Sequence, residues 1–366
     1  MLSLYQIICL TVPLLSLFAG GVDADALGDL QAKGRPAINA QLAKSTTCTA
    51  AKLQVRKEWG DITVAERKAY IKAVLCLINA PSKMPAGKFP GAKSRYDDFV
   101  LTHIQQTLQI HGTGSFLSWH RYYTWAYEQV LHTECGYNGT QPYWDYGRWP
   151  DPEKSPIFDG SDSSMGGNGR KVAHKATSVG PAQNGGGCVD KGPFANMTVH
   201  LGPVSPIADP APPKNPASNG LGDNPRCLRR DIGPNLIKYA STANLVTLIT
   251  GQKDVAGFQN TLQNGGAIGG SQGIHGSAHF TIGADPGGDF YTSPGDPAFF
   301  LLHAGIDRLW TIWQSQDLAN RTQVIAGGTS MTGGFGIGGG ASGGATLQKL
   351  TDNIDISNIS CQGVSD

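Results

Sequence analysis

A histidine in the middle of an apolar helical face limits what this chain can fold into. The stretch DPAFFLLHAGIDRLWTIW, residues 296–313, carries large apolar residues at helical spacing: Phe299, Ile306, Trp310 and Trp313. His303 lies in the same stripe, four residues after Phe299 and three before Ile306, so a helix here directs it into the core. A single core histidine is ordinarily satisfied by one hydrogen bond, and a ligand role requires other histidines to converge on the same place.

Six of the nine histidines fall into two groups of three. The first group is spaced by eight and nine residues: His103, His111 and His120. Helices predicted over 95–109 and 116–134 carry two of these on inward faces, and the turn HGTG between the helices carries the third. The second group is His275 and His279 in HGSAH, followed by His303. Because residues i and i+4 share a helix face, both imidazoles of HGSAH can reach one ion.

The residues around these histidines limit the metal. HGSAH alone is a weak signal, and it is not a zincin motif because Gly276 stands where that motif has glutamate. Neither group has aspartate or glutamate at ligand spacing, which disfavours carboxylate-rich iron, manganese or magnesium sites. Imidazole suits copper, zinc and iron, and Cu(II) binds it most strongly among the divalent ions. The other three histidines, His132, His174 and His200, are predicted to be surface or structural residues.

The segments that flank the two groups carry a family resemblance. They are FLSWHRYYTWAYEQVL around His120, PYWDY at 142–146, HGSAH, DPAFFLLHAGIDRLW at 296–310, RKEWGDITVAERKAYIKAVLCL near the start and NPRCLRRD at 224–231. Together they resemble the tyrosinase and catechol oxidase family of type 3 binuclear copper proteins, and most closely its short, secreted fungal branch. The resemblance extends from about residue 48 to residue 315.

This resemblance implies a cofactor of two copper ions. His103, His111 and His120 would hold the first ion, and His275, His279 and His303 the second. The implied substrates are a small phenol and dioxygen. The expected fold is mainly α-helical, with a central four-helix bundle that holds the dicopper site and with long loops rich in glycine and proline, because such bundles carry metal ligands inward from facing helices.

The chain is predicted to be a secreted single-domain protein. Residues 1–21 are apolar and end in small residues, which favours a cleaved signal peptide. The segment lacks the basic residues that usually begin a signal peptide, so a membrane anchor is the alternative. Residues 22–366 form the copper domain, with a loop insertion over about 150–230 and a glycine-rich tail over about 325–366. After cleavage no other segment is long and apolar enough to cross a membrane.

Cysteines and glycosylation sequons agree with secretion. Cys9 leaves with the signal peptide, and six cysteines remain for disulfides, with 15 possible connectivities: Cys48, Cys76, Cys135, Cys188, Cys227 and Cys361. We expect a Cys188–Cys227 pair to fasten the long loop, since a stretch of that length without periodicity is unusual in a compact domain. Four asparagines begin N-x-S/T sequons: Asn138, Asn196, Asn320 and Asn358.

Four residues beside the second histidine group are predicted to line the substrate pocket: Gln272, Gly276, Phe280 and Leu302. In hydroxylating members of the family, asparagine and glutamate stand where this chain has Gly276 and Gln272, and Leu302 replaces a histidine that does not bind copper. Since glutamine cannot take up a proton as a carboxylate does, we expect o-diphenol oxidation to outpace monophenol hydroxylation, with room for methoxyphenols. Asp307 and Glu128 are candidates for supporting the ligands or tying helices together.

Two other functions of the same centre stay open. One is a tyrosinase with full monophenolase activity, and the other is an oxygen carrier of the haemocyanin type. A multicopper laccase is disfavoured further, because that type needs HxH pairs and the chain has none. The formal net charge of +1 and the lack of a lysine and arginine cluster provide no surface for nucleic acid. The sequence does not predict an oligomeric state.

Overall fold

The computed structural model of the protein is mainly α-helical, as expected. It describes residues 26–46, 49–85, 87–265, 268, 270–331 and 346–356. The helices of this part are α1 Ala26–Leu42, α2 Val64–Asn79, α3 Arg95–Ile110, α4 Phe116–Cys135, α5 Pro234–Ile237, α6 Thr242–Gly251, α7 Val255–Asn264, α8 Gly273–Ile282, α9 Ala298–Ser315 and α10 Leu318–Arg321. The helical class is confirmed, and the four-helix arrangement of its centre stays a prediction.

Local sequence signals explain where the central helices begin. At the start of α2, the Thr63 hydroxyl accepts from the Glu66 N–H at 3.2 Å and the Glu66 carboxylate accepts from the Thr63 N–H at 2.7 Å, which is the capping box expected of the sequence TVAE. Ser94 and Asp97 form the same reciprocal pair at the start of α3. Helix α4 ends at Gly136, whose φ of 64° lies in the left-handed conformation that glycine adopts most easily.

Residues 231–250 have a helical pattern in the sequence, but the structure divides them into two helices. Pro234–Ile237 forms a short helix, and Ser241 then adopts extended backbone and caps a second helix with its side chain. Helices α1 and α7 were not predicted. They pack against α9 and α8, respectively, and packing of this kind supplies most of the stability of a helix in a protein.

The long loop over 150–230 contains four short strands in two antiparallel pairs. The first pair joins Gly169–Lys171 (β1) to Gly186–Val189 (β2), and the second joins Thr198–Val199 (β3) to Arg226–Cys227 (β4). The predicted Cys188–Cys227 disulfide is present and fastens β2 to β4. The loop also inserts apolar side chains into the core, namely Ile157, Phe158, Met165 and Phe194. It therefore contributes to the interior and does not only cover the surface.

A second disulfide, Cys76–Cys135, joins α2 to the end of α4. Cys48 and Cys361 lie outside the described residues, as do the predicted signal peptide, most of the glycine-rich tail and Asn358. The remaining sequon asparagines, Asn138, Asn196 and Asn320, are exposed. Within the described part of the chain, no helix has the length and apolar character needed to span a membrane.

Candidate metal centre

Both histidine groups converge in space. His103 comes from α3, His111 caps that helix and His120 comes from α4, and one ring nitrogen from each lies within 4.8 Å of the others. His275 and His279 on α8 and His303 on α9 form a second triad by the same measure. We call these the first triad and the second triad. The inward stripe on 296–313 thus brings His303 to two other imidazoles.

Backbone carbonyls orient the rings of the first triad. The Nδ1 atoms of His103, His111 and His120 lie 2.8, 2.9 and 2.8 Å from the carbonyl oxygens of Tyr291, Thr107 and Phe116. An imidazole that donates from Nδ1 to a carbonyl leaves Nε2 as a lone pair for a metal. The Nε2 atoms of His103 and His120 are buried and have no hydrogen-bond partner among the described residues. Buried and unpaired nitrogens of this kind fit a metal site.

In the second triad the Nε2 atoms approach a common point. His279 Nε2 lies 3.0 Å from His275 Nε2 and 3.1 Å from His303 Nε2. Three imidazoles bound to one ion at about 2.0 Å in tetrahedral directions would place their nitrogens about 3.3 Å apart. The observed spacing fits three ligands of one ion.

The two triads face each other and form one site. The rings of His120 and His303 are stacked, with centroids 4.4 Å apart and an angle of 15° between the planes. His111 and His275 make a second, looser stack at 6.0 Å. Phe299 packs against both triads, with its centroid 5.5 Å from that of His103 and 4.1 Å from that of His303. Ions held by the triads would therefore be neighbours in a common apolar enclosure.

Burial keeps the six imidazoles neutral. It lowers the pKa of His111 to about 4 and that of His279 to about 3, with proximity to His111 as a further cause for His279. The pKa values of His103, His120, His275 and His303 are also well below their usual range, first because of burial and then because of the neighbouring histidines. Neutral imidazole is the form that binds a metal ion, so the site needs no deprotonation at neutral pH.

Comparisons with known proteins agree with this geometry. The family model described as the common central domain of tyrosinase matches residues 93–316, which include all six histidines. The chain belongs to the tyrosinase family. Members of this family hold a type 3 dicopper centre, and the two triads of this chain are the groups that could each bind one ion.

Fungal tyrosinase-family relatives match most of the chain. Tyrosinase-like protein orsC of Emericella nidulans is 38% identical over 307 residues, which are 78% of this chain and 80% of the relative. N-acetyl-6-hydroxytryptophan oxidase ivoB of the same organism is 39% identical over 76% of this chain and 79% of its own length. A mutant polyphenol oxidase from Thermothelomyces thermophila is similar in structure, with a TM-score of 0.81, 41% identity and coverage of 91% of this chain and 92% of that chain.

The tyrosinase-family centre is most open beside α8. His275 and His279 are each 8% exposed, whereas the other four histidines are between 0% and 3% exposed. Gln272, Gly276 and Phe280 follow one another at intervals of four residues along the same helix and are half-buried. Three of the four predicted pocket residues thus lie beside the most accessible histidines.

Leu302 differs from the other predicted pocket residues because it is completely buried. Its carbonyl accepts a hydrogen bond from the Tyr146 hydroxyl, so this part of α9 is fixed to PYWDY. Its side chain belongs to the apolar interior around the centre.

Part of the long loop covers the outer side of α8. Residues 179–181 border two small cavities, of about 30 and 100 Å³, that are lined in turn by Phe280 and by Gln272. The Gln183 side chain donates to the Phe280 carbonyl at 3.2 Å and fixes this segment to the helix. No pattern in the sequence pointed to residues 179–183, since they lie in a stretch without periodicity.

Asp307 and Glu128 bind arginines rather than the histidines. Arg56 donates to Asp307 at 3.1 Å and to Glu128 at 2.6 Å, and Arg121 also donates to Asp307. Glu128 further accepts from the Gln141 N–H at 2.6 Å. These contacts join α4, which carries His120, to α9, which carries His303. Of the two roles expected for these carboxylates, the contacts fit the one that ties helices together.

Proposed function

We propose that this protein is a secreted copper oxidase that uses dioxygen to convert o-diphenols to o-quinones. The observation that carries the proposal is the face-to-face pair of buried, neutral histidine triads. His103, His111 and His120 would hold one copper ion, and His275, His279 and His303 the other. When bound, the copper pair supplies the redox chemistry that takes two electrons from a phenolic substrate and passes them to dioxygen.

The residues of the chain position the ligands and control access to them. Carbonyl oxygens fix the ring orientation of the first triad. Phe299 and Phe116 exclude water from both sides of the stacked histidines, with Phe116 centred 5.0 Å from His275. The substrate approaches from the side of α8, where His275 and His279 are the most exposed ligands.

The side of α8 favours diphenols over monophenols. A monophenol must lose its proton before it can be hydroxylated, and Gln272 has an amide where a carboxylate would act as the base. Gly276 presents no side chain beside His275, which leaves space for the substrate, and the position is tight for any side chain because a Cβ atom there would lie 3.0 Å from the Gln272 Cβ and 3.6 Å from the Phe280 ring. This space accommodates ring substituents such as a methoxy group.

Secretion is part of the proposal. It is supported by the apolar segment at residues 1–21, by two disulfides and by three exposed sequon asparagines. Disulfides persist in the oxidising compartments of the secretory route, so the copper centre would work outside the cell.

Oxygen uptake by the copper-loaded protein tests the activity. The test compares three substrates at equal concentration: catechol, phenol as the corresponding monophenol, and a methoxyphenol. Rapid uptake with catechol and a long lag or no uptake with phenol supports the diphenol oxidase. Prompt uptake with phenol identifies a full tyrosinase and shows that Gly276 and Gln272 do not prevent monophenol hydroxylation. Reversible oxygen binding with two coppers and no turnover of any phenol identifies an oxygen carrier.

A further inference from the structure

Asp289 is a buried carboxylate that the proposed chemistry does not use. Its side chain is 1% exposed, and no cation pairs with it among the described residues. Each of its oxygens accepts two backbone N–H groups instead. Oδ1 binds the N–H of Tyr291 at 2.8 Å and that of Thr292 at 3.2 Å, and Oδ2 binds those of Val204 and Ser205 at 2.7 and 2.8 Å. A buried charge is tolerated only with hydrogen bonds of this kind.

One of these bonds acts on the peptide group that orients His103. The Thr292 N–H and the Tyr291 carbonyl belong to the same planar trans peptide, so they point in opposite directions. Asp289 binds the N–H side of this peptide, and the carbonyl on its other side lies 2.8 Å from His103 Nδ1. The carboxylate therefore helps to fix where the acceptor of the His103 ring points.

Through its other oxygen Asp289 connects the long loop to the same peptide. Val204 and Ser205 belong to the loop insertion, and Ile207 N–H donates to the Gly288 carbonyl at 3.3 Å beside them. The segment is also fixed to α3 by the Tyr96 hydroxyl, which donates to the Pro294 carbonyl at 2.6 Å. The peptide behind His103 is thus held from the long loop and from the helix that carries His103.

We infer that Asp289 is a positioning residue for the first copper ion, acting through the Tyr291 carbonyl on His103. This inference rests on the proposed assignment of the triads as copper ligands. Removing the hydrogen-bond partner of a metal-bound histidine typically lowers the affinity for the metal by about 10- to 100-fold. Replacing the Asp289 carboxylate should therefore speed copper release from the first triad and leave the release rate of the second triad unchanged.

The test compares the Asp289→Asn variant with an Asp285→Asn control. Asparagine keeps one acceptor oxygen and turns an NH₂ group toward backbone donors, so one pair of bonds is lost. Asp285 is also completely buried in this segment, but it pairs with Arg226 at 2.6 Å, and no contact joins it to Tyr291 or Thr292. The control removes a buried aspartate charge from the same segment without touching the peptide behind His103, and it is the harsher change because it also leaves Arg226 without its ion-pair partner.

Copper content and release to a chelator are measured for both variants and for the wild type. We expect one of the two coppers of Asp289→Asn to leave at least about tenfold faster than in the wild type. The EPR spectrum of the copper that remains should match that of His103→Ala and not that of His279→Ala. Equal release from the first triad in Asp289→Asn and Asp285→Asn, or faster release from the second triad alone, would overturn the inference.

Amide hydrogen exchange of the wild type provides a measurement that needs no variant. Because coupling between two sites is reciprocal, copper loading should slow exchange of the Val204 and Ser205 amides, which bind Asp289. If the protein binds two coppers and exchange at these amides is unchanged, the inferred role of Asp289 is contradicted but the proposed function is not. A wild type that binds no copper would instead contradict the proposed function.

Discussion

The two triads use the same ligand type in different surroundings. All three rings of the first triad are fixed by backbone carbonyls, and none is more than 3% exposed. In the second triad His303 Nδ1 has no hydrogen-bond partner among the described residues and the ring is instead stacked on Phe299, while His275 and His279 are the most exposed of the six. One half of the centre is enclosed and oriented by carbonyls, and the other half is the more exposed one.

Removing one ligand from either triad should have the largest effect. His103→Ala and His279→Ala should each lose one copper and lower the catechol oxidation rate by roughly 1,000-fold or more, because the two-electron step needs both ions. Copper content and oxygen uptake measure this. The double variant should be no slower than the slower single variant, since the two halves act as a unit. Substantial activity of a single variant that holds one copper would contradict the conclusion that the two triads act as a unit.

Acid should affect both triads alike. Histidines of the unfolded chain take up protons near pH 6.5, whereas burial keeps the pKa of His111 at about 4 and that of His279 at about 3. The unfolded state therefore binds more protons below about pH 6.5, and the free energy of unfolding of the copper-free protein falls as the pH drops toward 4.

The copper-loaded protein should keep both ions at mildly acidic pH and lose them around and below about pH 4, where protons reach the buried imidazoles. Copper content after gel filtration across the pH range checks this. Loss of copper near pH 6 would show that the histidines are not buried as the structure has them.

A chelator should distinguish the triads. We expect copper to leave the second triad first, by a factor of about ten, because two of its ligands are partly accessible and His303 lacks a carbonyl partner. Stopped-flow release to a chelator should show two phases, and His279→Ala should lack the fast one. If His103→Ala lacks it instead, the enclosed triad is the weaker site.

The smallest effect concerns substrate choice beside the open triad. Gly276→Asn should raise the ratio of monophenol to diphenol oxidation by a few-fold, about 1 kcal/mol or less, by placing a polar group next to His275. The side chain fits if Gln272, its nearest neighbour, moves slightly. Initial rates of oxygen uptake with phenol and catechol measure the ratio, with Leu302→Met as a control inside the core. An unchanged ratio would remove Gly276 as a determinant of specificity.

Much of this centre was predictable because its signals are local. The bounds of α2, α3 and α4 follow from capping residues and apolar spacing, and the inward stripes show which histidines leave the surface. HGSAH places two imidazoles on one helix face whatever the rest of the fold is. The Cys188–Cys227 pair was expected because a long aperiodic loop needs a fastening, and it is present.

The supporting structure was not predictable in the same way. The Tyr291 carbonyl, Asp289 and residues 179–183 act through backbone groups or through segments without periodicity, and no residue pattern identifies them. Asp307 and Glu128 were recognised as candidates, but only the positions of Arg56 and Arg121 show that they join α4 to α9.

The sequence by itself determined the ligand type, the pairing of three and three, and the family. These depend on side-chain identity, on spacing along the chain and on the sequence segments that flank the histidines. Only the tertiary structure decided that His120 and His303 stack, that α8 is the open side and that the long loop supports the peptide behind His103. Such contacts join residues 80 to more than 180 positions apart, and they arise from packing and from the hydrogen-bonding needs of buried backbone, which no local pattern records.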